Sequence, residues 1–206
     1  MGIPVMILGK SGSGKSASLR NLSEAIYGLV NPAKKPLPFK TGKKGLDTDD
    51  YKRITHALDA AVSNIIVIDD AQYLMANEFM RRANEKGYDK FTKIGKDFFD
   101  LIQHVTTKLP PQKVVYFMGH TEVDQFGNEK FKTIGKMLDE KVTVEGLFTI
   151  VLKTRVETNP RGYYFATQND GTDTVKTPIG MFADELIDND LVIVDMAIRE
   201  YYGLTA

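Results

Sequence analysis

Residues Gly9 to Ser16 read Gly-Lys-Ser-Gly-Ser-Gly-Lys-Ser and follow the apolar run Ile3 to Leu8. A glycine loop of this kind has to join a buried strand to a helix, which commits the chain to an α/β sheet with the loop at a strand's carboxyl end. The glycines let the backbone curl so that successive N–H groups point inward. The following helix is expected to add its positive end, and one lysine reaches the outer phosphates of a nucleoside triphosphate. Lys15 is that lysine. The Ser16 hydroxyl is placed to join the shell of a magnesium ion bridging the terminal phosphates. Gly9, Lys10, Ser11, Gly12, Ser13, Gly14, Lys15 and Ser16 are therefore the candidate ligands of ATP, with Mg2+ on Ser16.

Leu19, Leu22, Ile26 and Leu29 are spaced three, four and three apart, which predicts one amphipathic helix after the loop, ending before Asn31-Pro32. From there to Asp50 the chain is rich in lysine, proline and glycine and reads as an exposed loop. A short helix is predicted over Asp50 to Ser63, and Asn64 to Asp70 reads as a strand buried on both faces. A Met- and Phe-rich helix to about Asn84 follows, then a long amphipathic helix from Phe91 to Leu109, stopped by Pro110-Pro111. Val114 to Met118 is a further strand, ending at Gly119-His120. Leu147 to Glu157 and Tyr163 to Gln168, separated by Thr-Asn-Pro-Arg-Gly, read as an antiparallel hairpin. A last helix is capped by a residue between Asp188 and Asp190 and closed by Gly203. The expected fold is a single domain over residues 1–206: a doubly wound, mostly parallel sheet of the P-loop type with an antiparallel hairpin near its carboxyl end.

Asp69 closes an apolar strand, where a carboxylate can hold magnesium through water beside Ser16. Asp70 reads either as the base that orients the attacking water or as a helix amino-terminal cap. His120 reads either as a sensor of the γ-phosphate or as a hydrogen-bonded strand-end residue. Lys153 and Arg155, two apart on one strand, share a face that either meets a neighbouring subunit, where cations can neutralise the γ-phosphate, or stays solvated. Lys130, Lys132, Lys136 and Lys141, with Phe131, form a basic stretch that either tracks a nucleic-acid backbone or is a solvated helix, and the loop from Lys34 to Lys44 offers the same choice. Phe126 and Phe131 are the candidates for base stacking. His56 and His104 read as surface or core residues, and Asn169 to Asp173 as a turn.

The formal net charge of zero excludes a global basic field, so contact with nucleic acid must come from a local patch or an assembly. The absence of cysteine removes disulfides and thiolate metal sites and fits a reducing cytoplasm. No apolar run approaches the roughly 18 residues that span a bilayer, so no membrane association is expected.

Taken together, Gly9 to Ser16, Ile66-Val-Ile-Asp-Asp70, Val115-Tyr-Phe-Met-Gly-His120 and Lys132-Thr-Ile-Gly-Lys-Met-Leu-Asp-Glu140 resemble the small phage ATP-binding proteins, short relatives of the RecA recombinase core. The resemblance covers nearly the whole chain. It implies a RecA-like ATPase in the cytoplasm of a host cell, acting on single-stranded DNA in annealing or recombination, beside a phage single-strand-binding protein and as a homo-oligomer. Lys15 and Ser16 would bind phosphate and magnesium, Asp69 would be the second-motif carboxylate, His120 the sensor, and Lys153 and Arg155 interface cations. RecA-like enzymes usually carry a catalytic glutamate after their second strand; here that region is the lysine and proline loop, with Asp47, Asp49 and Asp50 the nearby carboxylates. The alternatives are a nucleotide-dependent switch that loads a replication protein and a small-molecule kinase, the latter disfavoured by a chain with only seven arginines.

Overall fold

The computed structural model describes every residue except 136, 137, 139, 140, 205 and 206. Among the described residues the strands β1 (Ile3–Leu8), β2 (Tyr27–Val30), β3 (Ile65–Ile68), β4 (Val114–Gly119), β7 (Ile150–Thr158), β8 (Arg161–Ala166) and β9 (Leu186–Asp188) form one sheet in the order β2-β3-β4-β1-β7-β8-β9. The five strands from β2 to β7 in that order are parallel, and β8 and β9 extend the sheet antiparallel to their neighbours. This is a mixed α/β fold with a mostly parallel sheet and an antiparallel hairpin, as the alternation of apolar runs and helical periods implied.

The central strands are apolar on both faces because both faces are covered. Helices α1 (Tyr51–Ala60), α2 (Gln72–Arg81) and α3 (Asp89–Lys108) pack on one side, against Met6, Leu8, Ile66, Ile68, Val115, Phe117 and Val151. On the other side, α4 (Leu191–Tyr202) and a short 3-10 helix at Ser16–Asn21 pack against Val5, Ile7, Val67, Tyr116, Met118 and Leu152. Asp50 caps α1 through the N–H groups of Lys52 and Arg53, and Asp190 caps α4 through that of Val192. Gly203 ends α4 in the left-handed conformation. Among the described residues no helix is long and apolar enough to cross a membrane.

Two expectations fail. The single helix over Leu19 to Leu29 is instead six residues of 3-10 helix followed by β2. Tyr27-Gly-Leu-Val30 has β-forming ends and a glycine poor in helices, and pairing along β3 wins over a helical spacing that Ile26, half exposed, does not use. The basic stretch from Lys130 to Lys141 does not begin as a solvated helix, one of its two readings, since β5 (Thr121–Val123) and β6 (Glu129–Phe131) form a separate hairpin directly after His120. Asp124 builds its turn by accepting from the N–H groups of Phe126 and Asn128. Lys136 lies outside the described residues.

Candidate functional site

The sheet order brings the carboxyl ends of β1, β3 and β4 side by side, with β4 between the other two. The Gly9–Ser16 loop leaves β1, Asp69 and Asp70 follow β3, and His120 follows β4, so residues more than a hundred positions apart meet on one edge. Gly12 (φ 74°) and Gly14 (φ 104°) take the left-handed region that lets the loop close into a concave turn. Thr154 on β7 supports it from beneath: its hydroxyl lies 2.6 Å from Ser13 Oγ and 3.2 Å from the Leu8 carbonyl. The element after the loop is only six residues long, so the dipole expected of a full helix is small, and the loop's own N–H groups and Lys15 carry the positive potential.

Lys15 folds back across the loop and donates to the carbonyls of Gly9 (2.7 Å) and Lys10 (2.9 Å). Burial lowers its pKa to about 8, against the pull of Asp70 and Asp69 in the other direction. Ser16 Oγ donates to Asp69 Oδ1 at 2.9 Å. Burial, reinforced by the adjacent charge of Asp70, raises the Asp69 pKa to about 6, with the Ser16 bond opposing. A hydroxyl and a buried carboxylate held together at the foot of the loop are the hard oxygen donors that a magnesium ion takes, with phosphate and water oxygens completing its shell. Among the described residues no group of three or more His, Cys, Asp or Glu side chains converges as a metal site.

Asp70 does not cap α2, whose first turn has no side-chain cap. It is 2% exposed, adopts φ 54°, and directs one oxygen at Lys35 and the other at His120 Nε2, 3.2 Å away. Burial and then the charge of Lys15 lower the His120 pKa, against the pull of Asp70, so the ring is neutral at pH 7. The His120 N–H donates to Gln72 Oε1 at 3.2 Å, and its carbonyl accepts from Lys132 across the base of the β5–β6 hairpin. Lys15, Ser16, Asp70 and His120 line one groove of about 460 Å3 over the loop, with Lys35, Pro36, Pro38 and Tyr163 on its outer walls.

Lys153 and Arg155 share one face of β7, as their spacing implied, but only Arg155 is on the surface. Lys153 is buried and bonded to Asp173 (2.6 Å) and Glu129 (3.4 Å); Arg155 is half exposed and pairs with Asp170 at 3.0 Å. Both line a separate cavity on the far flank of the loop, beside Lys10, whose ammonium pairs with Glu129 at 3.1 Å. The Asn169 to Asp173 segment is the expected turn, closed by the Asn169 and Asp170 side chains, and it also supplies Asp170 and Asp173 to this cluster. Phe131 is buried, stacked on Phe98 at 5.5 Å, and is no platform for a base, whereas Phe126 is 80% exposed at the hairpin turn. His104 bonds Asp59 at the surface and His56 is exposed. The basic loop is not simply solvated: Lys43 donates to the carbonyls of Tyr27 and Glu24, and Lys35 enters the groove. Sequence reasoning missed Lys35, because nothing in Asn31-Pro-Ala-Lys-Lys35 says which lysine turns inward.

No family model matches the chain, and no curated protein sequence is significantly similar to it.

The unusual pKa of Asp69 has a consequence for stability. A carboxyl whose pKa rises on folding holds its proton more firmly in the folded state, so stability falls as the pH rises from its usual value of 3.8 to about 6, and the full penalty is present above that. Asp69→Asn keeps an acceptor for Ser16 and removes the buried charge. At pH 7.5 it is expected to raise the unfolding midpoint by about 3–6 °C, equivalent to about 1–2 kcal/mol. Thermal scans at pH 7.5 and pH 4.5 check this, with the gain shrinking at the lower pH.

Proposed function

We propose that the protein is a magnesium-dependent ATPase of RecA-like type that works with single-stranded DNA. One observation carries the reading: the glycine loop at the end of central strand β1 holds Lys15 over its own carbonyls and Ser16 against the buried Asp69. In that arrangement the loop N–H groups receive the β- and γ-phosphates, and Lys15 exchanges carbonyl partners for phosphate oxygens. Ser16 and Asp69 hold the magnesium ion, which when bound neutralises charge on the terminal phosphates. His120 lies between the loop and Asp70 on the intervening strand, where presence or loss of a γ-phosphate changes its partners. Its carbonyl is bonded to the base of the β5–β6 hairpin, so a shift at His120 is transmitted to a turn that carries the exposed Phe126.

That hairpin supports the single-stranded DNA reading, since an exposed aromatic at a turn, with Lys130 on the adjoining strand, can stack a base beside a phosphate contact. An interface-cation role for Lys153 forms no part of the proposal, because its ammonium is buried between Asp173 and Glu129 of its own chain; Arg155, exposed beside Asp170, keeps that role.

Steady-state ATP hydrolysis with and without single-stranded DNA tests it. DNA is expected to stimulate turnover, with the stimulation declining as salt rises from about 50 to 200 mM. Phe126→Ala is expected to reduce that stimulation about tenfold, in line with roughly 1–3 kcal/mol per stacked base, and to leave DNA-independent turnover unchanged. Hydrolysis indifferent to DNA would favour a nucleotide switch.

A further inference from the structure

Among the described residues two non-glycine residues have positive φ: Lys34 and Asp70, both at 54°. They lie 36 positions apart in the chain and serve one contact. Lys34 sets the direction of Lys35, and Asp70 carries the carboxylate that Lys35 reaches. Left-handed backbone is more readily adopted by aspartate than by lysine, is tolerated at either where the surroundings impose it, and such outliers gather at functional sites. The surroundings here are specific. Asn31 bonds the Lys35 carbonyl and Asp47 through its amide, each at 2.9 Å, and its carbonyl accepts from the Lys34 N–H. Asn77 of α2 donates to the Pro32 carbonyl. The turn after β2 is thus tied to both the rest of its loop and α2, and it holds an ammonium group in the wall of the groove that contains Lys15 and Ser16.

Resting on the nucleotide-binding reading above, we infer that Lys35 is a catalytic cation that contacts the γ-phosphoryl group from within the same chain, with Asp70 as its holder before nucleotide arrives. In hydrolysis the oxygen of a water molecule bonds to the γ-phosphorus as the bond from that phosphorus to the β–γ bridging oxygen breaks. The electron pair of the broken bond leaves with ADP, and both water protons remain on the released dihydrogen phosphate. Negative charge is concentrated on the terminal oxygens throughout, and Lys35 and Lys15 face it from two sides. The Lys35 side chain is half exposed and the Asp70 carboxylate 2% exposed, so it is the lysine that has room to swing from one anion to the other. Asp70 keeps His120 as its remaining partner when it does.

The test compares ADP and a slowly hydrolysed ATP analogue, each with magnesium, on wild type, Lys35→Ala and Lys35→Arg. Lys35→Ala is expected to weaken the analogue about tenfold, leave ADP affinity within twofold, and lower turnover at least about a hundredfold. Lys35→Arg should recover part of the turnover. An equal loss for both nucleotides would make Lys35 a loop anchor and overturn the inference, as would turnover within twofold of wild type. Mixing Lys35→Ala with Lys15→Ala separates the two possible geometries: a same-chain cation leaves the mixture inactive, and recovered activity overturns that assignment. A wild-type chain that binds neither nucleotide overturns the underlying reading and this inference together. Normal wild-type binding with an unaffected Lys35→Ala overturns this inference alone.

Discussion

Lys15→Ala is expected to reduce ATP turnover by about a thousandfold or more while leaving the fold intact, the scale of losing one preorganised charge at a reacting centre. The residue is 5% exposed and its ammonium is held by two loop carbonyls, those of Gly9 and Lys10. Removing it takes away a desolvated charge whose pKa burial has already lowered to about 8. Between about 8 and the ordinary 10.5 the folded state binds the proton less well than the unfolded chain, so folding is penalised in full below about 8 and the penalty fades as the pH rises. The alanine variant should accordingly unfold at the wild-type temperature or slightly above it at pH 7, and its loss of activity cannot be put down to unfolding. Steady-state kinetics and a thermal scan on the same preparation check both halves.

Gly9→Ala is expected to damage fold and activity together. A Cβ at this position would lie 1.8 Å from Thr154 Oγ1 and 2.6 Å from Ser13 Oγ, inside any possible contact. Thr154 sits on β7 with its hydroxyl fixed between Ser13 and Leu8, so the methyl can be accommodated only by moving the loop off the strand end or by breaking those bonds. Overpacking of this kind costs about 1–3 kcal/mol, and the displaced loop should lose at least about tenfold in turnover. The tighter of the two clashes is with Thr154 Oγ1, and Thr154→Ala removes it while leaving that with Ser13 Oγ. The double variant should therefore regain part of the stability lost in Gly9→Ala alone, as urea unfolding of the four proteins would reveal.

Much of this arrangement was legible in the residues. A continuous β-branched run such as Ile65 to Ile68 has few alternatives to a buried strand, and the apolar stripe of α3 and the Asp190 and Gly203 caps of α4 are local signals that the structure uses as written. The loop and its partners Ser16 and Asp69 could be placed because strand ends in a parallel sheet converge on one edge. The stretch from Leu19 to Leu29 misled because a spacing of three and four residues is shared by a helix and by a short turn followed by a strand, and only pairing with β3 distinguishes them. Phe131 looked available beside its lysines, but burial depends on α3, whose Phe98 it stacks upon. The burial of Lys153 is likewise a tertiary fact, since Glu129 arrives from strand β6 and Asp173 from a distant turn. The contact of Lys35 with Asp70 joins a turn to a strand end through two residues in left-handed backbone, and neither position carries a glycine or other mark in the sequence that announces it.

Calorimetric titration of ATP with magnesium into the protein tests most directly whether a nucleoside triphosphate occupies the Gly9–Ser16 loop. Wild type should bind one nucleotide per chain, with affinity falling sharply when magnesium is withheld and vanishing in Lys15→Ala. Absence of binding by wild type, or binding that Lys15→Ala leaves unchanged, would contradict it.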